Sequence, residues 1–294
     1  MCDLLDPKND SVFKRLFGDA PDLLVAQINA VRRCAAPITH IAVKNPTIDA
    51  AELHGKYIIL DLLAEDAAGR QYNIEMQVRR YRAWSARSTY YLARLISGQL
   101  VAGDDYGELQ PAIGIHLLDF DLFQDPAHQD QALWCFEMRD AARPAVTLGQ
   151  ELQLNLIELR KADRLQQTGG ALSAWITLFE HWQEEDTMAQ IVDPPVRAAL
   201  DKLKTLSADA EARRLAFVRE RALRDERSLL KDAREEGREE GREEGREEGR
   251  EEGRAEALRL TAINLIHGTD LSDAAIAAIT GLGVADLAAL RRAL

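Results

Sequence analysis

YIILDLLAEDAAGRQYNIEMQV, residues 57–78, is the stretch on which the fold turns. Successive side chains of an extended chain point to opposite sides. Tyr57, Ile59, Asp61 and Leu63 therefore share one face, and Ile58, Leu60 and Leu62 the other. In the second half Asn73, Glu75 and Gln77 share a face while Ile74, Met76 and Val78 fill the opposite one. DAAGR, residues 66–70, reads as a hairpin-type connection between the two runs. Two neighbouring strands result, and Asp61 is then a carboxylate set inside an apolar strand, where charge is rarely buried without a partner or a metal. Such a pair of strands aims Asp61 and Glu75 at a single point.

Two carboxylates with a backbone carbonyl make an oxygen-rich site suited to Mg²⁺ or Mn²⁺. A metal held there lowers the pKa of a bound water and stabilises charge on a scissile phosphate, which is the chemistry of phosphodiester hydrolysis. The spacing alone leaves a second reading open: Asp61 ends a strand or pairs with an arginine, and Glu75 and Gln77 are the wet face of a sheet.

Upstream, DPKNDSVFKRLFGD (6–19) carries a helix-start signal, with Asp6 as cap and Pro7 at the first helical position. Val12, Phe13, Leu16 and Phe17 form its apolar stripe, and Gly18 ends it. A second helix is expected from Pro21 to Arg33, and HIAVKN (40–45) reads as a strand. Downstream, WSARSTYYLARLISGQL (84–100) is a helix of several turns. AIGIHLLDF, LWCFEMRD and LQLNLIEL are further strands. Helices, strands, helix, strands is the order of a mixed α/β or α+β sheet domain. After Gly169 and Gly170 the pattern turns helical, with ALSAWITLFEHW amphipathic and Pro194-Pro195 opening a stretch that runs toward Asp225.

Between Arg234 and Arg254 the sequence repeats Arg-Glu-Glu-Gly with a strict period of four. Glu and Arg three apart along a helix pair for roughly 0.2–0.5 kcal/mol. Gly237, Gly241, Gly245, Gly249 and Gly253 each oppose this by about 0.8–1.0 kcal/mol relative to Ala. Helix is still expected, because good formers fill the other positions. The run is a solvated spacer or a pairing surface that the glycine stripe lets a partner approach. The tail, LIHGTDLSDAAIAAITGLGVADLAALRRAL, holds two short helical patterns around a Gly-rich turn, with Ser272 and Asp286 near the helix starts. A helix-turn-helix shape of this kind enters a major groove or serves as a packing module. Its second helix offers only Asp286, Arg291 and Arg292 as polar reach.

With 294 residues, 46% of them hydrophobic, the chain has material for one substantial domain and a smaller appendage. No basic stretch followed by an apolar run opens it, and no apolar segment reaches the roughly 18 residues needed to span a bilayer. The expectation is a cytoplasmic, bacterial protein without membrane association. Cys2, Cys34 and Cys135 show neither disulfide nor zinc spacing. The histidines lack metal-ligand spacing such as HExxH, and no Walker-type or dinucleotide glycine loop is present. A net charge of −12 argues against nucleic acid, yet no acidic residue lies between Glu75 and Asp104, where Arg79, Arg80, Arg82, Arg87 and Arg94 all fall. That segment is the natural phosphate-facing patch.

DPKNDSVFKRLFGD, then LDLLAEDAAGRQYNIEMQ, then RSTYYLARLISGQLVAGDDYGELQPAIGIHLLDF, in that order, resemble the Rpn family. These are recombination-promoting nucleases, also described as PD-(D/E)XK nuclease family transposases. The likeness is strong over residues 1–120 and extends through the repeat to the ITGL tail. It implies an α/β, restriction-endonuclease-like (PD-(D/E)XK) core with a helical C-terminal extension. It makes Asp61 the motif aspartate, Glu75 the motif acid and Gln77 the occupant of the usual lysine place, with Asp61 and Glu75 as metal ligands. Asp10 either approaches the metal or is a solvated helix residue one turn before Lys14. Glutamine brings no charge and cannot act as a base, so activity is expected to depend more on the metal, or on a nearby cation such as Lys8, Lys56 or Arg79. Arg79, Arg80, Arg82, Arg87 and Tyr91 are the expected DNA contacts, with Tyr90 and Arg94 on the same helix.

The division expected is a nuclease domain over 1–165, a helical region over 166–230, the repeat spacer over 231–256 and a small helical module over 257–294. The function expected is Mg²⁺- or Mn²⁺-dependent endonucleolytic cleavage of DNA linked to recombination or mobile elements, by a homo-oligomer joined through its C-terminal helices. A catalytically weak DNA-binding or regulatory protein and a coiled-coil assembly protein are the alternatives. No DDE-type arrangement is visible, so strand transfer is not expected.

Overall fold

The computed structural model describes residues 4–32, 35–44, 47–48, 58–59, 61–80, 83–166 and 169–294. Cys2, Cys34, His54, Lys56, Tyr57, Leu60 and Arg82 lie outside them. The chain divides into two compact units, Met1–Ala222 and Leu223–Leu294.

The first unit is built on a six-stranded mixed sheet in the order β1-β4-β5-β6-β8-β7. Its strands are β1 (Ile41–Lys44), β4 (Leu62–Asp66), β5 (Gln71–Gln77), β6 (Ala112–Leu118), β7 (Leu133–Glu137) and β8 (Leu152–Glu158). β1 and β5 each run antiparallel to β4, which lies between them. β5, β6 and β8 are mutually parallel, and β7 closes the far edge antiparallel to β8. A short pair, β2 (Thr47–Ile48) with β3 (Ile58–Ile59), stands apart. The mixed α/β, restriction-endonuclease-like class read from the sequence is the architecture found. Strands covered on both faces need no polar side, and every residue of β6 is buried.

One face of the sheet carries the main core. α1 (Asp10–Gly18), α2 (Pro21–Val31), α4 (Leu159–Leu165), α5 (Gly170–His181), α6 (Glu185–Ala189) and α7 (Pro194–Ala208) contribute to it. Phe13 and Phe17 of α1 meet Trp175 and Phe179 of α5 there. α3 (Trp84–Ser97) makes the crossover from β5 to β6 and covers the other face, with Leu92 and Leu95 on Leu63, Ala112, Leu152 and Leu154. A Cβ at Gly114 would come within 2.7 Å of Leu154 Cδ1 and 3.3 Å of Leu92 Cδ1, so the approach of α3 depends on that glycine.

Three expectations need correction. α1 begins at Asp10 rather than Pro7, because Asp6 accepts the Lys8 amide in a turn while the Asn9 side chain caps Ser11. The helix opened by Pro194 stops at Ala208, and a new one starts at Ala210. The run at 57–66 is not one strand: β3 and β4 are separate, and Asp61 stands in neither. The Asp61 carboxylate Oδ2 accepts the Met76 amide at 3.0 Å, so a side chain takes a ladder donor and the β4–β5 pairing ends at Leu62↔Ile74.

α8 (Ala210–Gly268) contains the whole repeat as helix. A Cβ at any of the five repeat glycines would meet nothing within 4 Å. In the second unit α9 (Asp273–Thr280) and α10 (Val284–Ala293) meet at 115°. They pack Ile276 and Leu287 on Ala262, with Ser272 capping α9 as expected. Arg291 Nε bonds Asp273 Oδ1 at 2.9 Å and Arg292 donates to Ala288 O, so both arginines of the second tail helix are held within the unit. Among the described residues no single helix is long and apolar enough to cross a membrane.

Candidate active site

Glu75 sits mid-strand on β5, on the face covered by α3, and is 2% exposed. Its Oε2 accepts the Gln77 amide at 2.8 Å, and its Oε1 has no hydrogen-bond partner among the described residues. Asp61 reaches the same strand from the end of β4, anchored by the Met76 amide that lies between Glu75 and Gln77. The pairing that ends β4 therefore delivers Asp61 beside Glu75. Gln77 is turned onto Glu75, holding a carboxylate where the usual motif has a lysine.

The third side of the site comes from α1, whose buried stripe of Val12, Phe13, Leu16 and Phe17 fixes the opposite edge of the helix in the core. Asp10 and Lys14 lie one turn apart on the free edge. The Lys14 ammonium is 2.9 Å from Asp10 Oδ1 and 3.4 Å from Asp61 Oδ1. Arg219 of α8 approaches Asp10 Oδ2 at 3.4 Å. Asp10 is thus brought to Asp61 by the fold. Lys8 is not: its ammonium bonds Asp119 at 2.9 Å and Glu180 at 3.2 Å and lies over the Trp182 ring, which corrects the expectation that it compensates for Gln77. Lys56 lies outside the described residues. Among the described residues, Lys14 is a cation that does reach Asp61, and the sequence showed it only as an i,i+4 partner of Asp10.

Burial pushes the Asp61 carboxyl up to about 6, and the charge of Asp10 adds to the rise against the pull of Lys14 and the Met76 amide. Burial likewise pushes Glu75 up to about 8, helped by the charge of Asp61, while Arg87, Asn73 and Gln77 draw it back. Asp10 goes the other way. Burial raises it, but Lys14, a hydrogen bond with Asp61 and Arg219 together leave it below the ordinary carboxylate range. Burial would lower Lys14, yet Asp61 and Asp10 carry it above the usual lysine value. Burial thus dominates at Glu75, whereas at Asp10 the cations outweigh it.

α3 roofs the site. His116 pairs with Glu75 across β5 and β6 and is buried, with Ser88 Oγ 3.3 Å from its Nδ1 and the edge of Trp84 against the ring. Burial, aided by Arg87, pushes it down to about 3, so it is a neutral wall beside Glu75. Among the expected DNA contacts, Arg87 is exposed on α3, and its Nε donates to Tyr91 Oη at 2.7 Å. Arg79 is half-buried and Arg80 exposed just past β5, and Arg82 lies outside the described residues. Tyr91 packs partly against Leu92 and Leu95, while Tyr90 is 40% exposed.

Among the described residues no three Asp, Glu, His or Cys side chains converge as a ready-made metal cage. The donor set nevertheless fits Mg²⁺, which keeps several waters and takes one or two carboxylates. The Glu75 Oε1, buried and without a hydrogen-bond partner among the described residues, is a donor oxygen that such an ion could take. The family model described as PD-(D/E)XK nuclease family transposase matches residues 7–233. The chain belongs to that family. Membership supports a nuclease-like function linked to transposition, with DNA as the substrate class, and the match takes in the sheet, α1 to α7 and the start of α8. No curated protein matches the chain, and no solved structure does.

Proposed function

We propose that the chain is a metal-dependent DNA endonuclease serving recombination or transposition. One observation carries the reading: two carboxylates, the buried Glu75 and the largely covered Asp61, stand together with their acidities weakened and one oxygen of Glu75 without a hydrogen-bond partner among the described residues. Asp61 and Glu75 would hold Mg²⁺ or Mn²⁺. Such an ion, when bound, acidifies water and stabilises charge on a phosphate. The protein's own part is to keep the two carboxylates dry and fixed. The Met76 amide orients Asp61, Gln77 orients Glu75, and Asp10 shares its charge with Asp61. Arg79, Arg80, Arg82, Arg87 and Tyr91 supply the contacts to the DNA backbone.

Nicking of supercoiled plasmid with and without Mg²⁺ tests this. D61N and E75Q keep shape and remove charge, and each is expected to lower the rate by about 10²–10³-fold, as when one electrostatic contact to a transition state is lost. Nicking at the parental rate by either variant, with trace nuclease excluded, overturns the reading.

We also propose that the C-terminal unit joins subunits, so that two sites cut both strands. The exposed Leu260, Ile279 and Val284 favour this, and light scattering that finds a monomer at tens of micromolar would exclude it.

A further inference from the structure

The site has a cation, but it comes from a helix and not from the strand that carries the motif. Gln77 spends its amide on Glu75 and brings no charge. Lys14 spans Asp10 and Asp61 from α1. Its side chain remains 31% exposed, whereas Lys8, the other lysine of the N-terminal segment, is buried on Asp119 and Glu180. Two geometric facts make Lys14 more than a surface ion pair. Its backbone is anchored by the buried Phe13 and Leu16 on the opposite face of α1, so the ammonium is delivered to a fixed place. And Asp61, its farther partner, is only 14% exposed and belongs to the carboxylate pair itself.

We propose that Lys14, and not residue 77, supplies the cation that contacts the scissile phosphate and its attacking water. The proposal rests on the nuclease reading above. In the hydrolysis the water oxygen forms a bond to phosphorus and the bond from phosphorus to the leaving oxygen breaks. The water's proton leaves to solvent, and the leaving oxygen takes one from solvent. Lys14 contributes charge and hydrogen bonds and keeps its protons throughout. An ammonium has three donors, so Lys14 can hold Asp10 while turning another N–H to the phosphate.

Four full-length proteins decide the matter: parent, K14M, Q77K and K14M/Q77K. Each is assayed for single-turnover plasmid cleavage with Mg²⁺ and for DNA affinity by fluorescence anisotropy with Ca²⁺ in its place. K14M is expected to cut about 100-fold more slowly, the loss of one preorganised contact to the transition state, with much less change in DNA affinity. Adding a lysine at position 77 should restore at least a tenth of the parental rate to K14M. A structural role for Lys14 would be insensitive to Q77K. Parental cleavage by K14M, or a K14M/Q77K protein no faster than K14M, overturns the proposal. If K14M does not fold, Q77K alone still decides, since a large gain in the parent background would mean the site lacked a cation. D61N in the same assay separates the two claims: if it too cuts normally, the nuclease reading fails and not merely the assignment of Lys14.

Discussion

Two buried glutamates of the same sheet are treated in opposite ways. Glu158, at the end of β8, is 0% exposed, and both its oxygens are fully engaged. Oε1 accepts the Leu122 and Phe123 amides at 2.5 and 2.9 Å, while Oε2 accepts Trp134 Nε1 and the Lys161 ammonium, each at 2.8 Å. Lys161 in turn donates to the Phe123 and His128 carbonyls and is itself fully buried. Glu75, on β5, is as deeply placed but has one neutral donor on Oε2 and an unpartnered Oε1. A carboxylate whose hydrogen bonds close within the fold pins loops. One left open holds binding capacity for something the chain does not supply.

Swapping charge for amide at each glutamate gives the sharpest contrast. E158Q removes one partner of a buried, hydrogen-bonded pair and should cost about 3–5 kcal/mol of stability by urea unfolding. E75Q should hold or gain stability without metal while losing the nicking activity. An E75Q protein destabilised as much as E158Q would make Glu75 a structural residue and end the distinction.

pH separates them next. The Glu75 carboxyl is raised from its ordinary 4.5 to about 8, so between those values the folded state keeps a proton that the unfolded state has released. Stability of the metal-free protein is therefore fully present below about pH 4.5 and falls as pH rises toward 8. Asp61, raised from 3.8 to about 6, adds the same sign over a lower window. Thermal melts in chelator should show the parent losing on the order of a few kcal/mol across pH 5–8 and E75Q losing less. Parallel curves for the two proteins would remove Glu75 as the cause.

The basic residues extend the contrast from acid to cation. Arg160 is spent on Asp119 through two hydrogen bonds of 2.9 and 2.8 Å, a fold contact, whereas Arg80 is exposed. Changing Arg79, Arg80 and Arg82 to Ala should weaken DNA binding and flatten its salt dependence by about 0.9 in log–log slope for each lost phosphate contact. An unchanged slope places the DNA elsewhere. The smallest effect is expected at Arg219, whose 3.4 Å approach to Asp10 is half-exposed. Exposed pairs contribute about 0.2–1 kcal/mol, so R219A should shift stability within that range and leave nicking nearly intact. A collapse of nicking in R219A would instead show that α8 holds Asp10 in its working position.

Much of this was legible in the sequence because it is local. The alternation of Asn73, Glu75 and Gln77 against Ile74 and Met76, the stripe of Val12, Phe13, Leu16 and Phe17, and the Ser272 cap each follow from a period or a single capping contact, and each is found. The class of the fold followed from the order of those elements. What the tertiary structure alone decided involves partners far apart in the chain. Asp61 leaves the strand it was expected to occupy because its carboxylate finds the Met76 amide, and Lys8 is lost to Asp119 and Glu180. Lys14, an ordinary i,i+4 partner of Asp10 by spacing, reaches Asp61 only because α1 packs beside the end of β4. A period reports which face a residue takes; which charge that face meets is settled only when separate elements pack, since a buried carboxylate takes whatever donor the fold brings within about 3 Å.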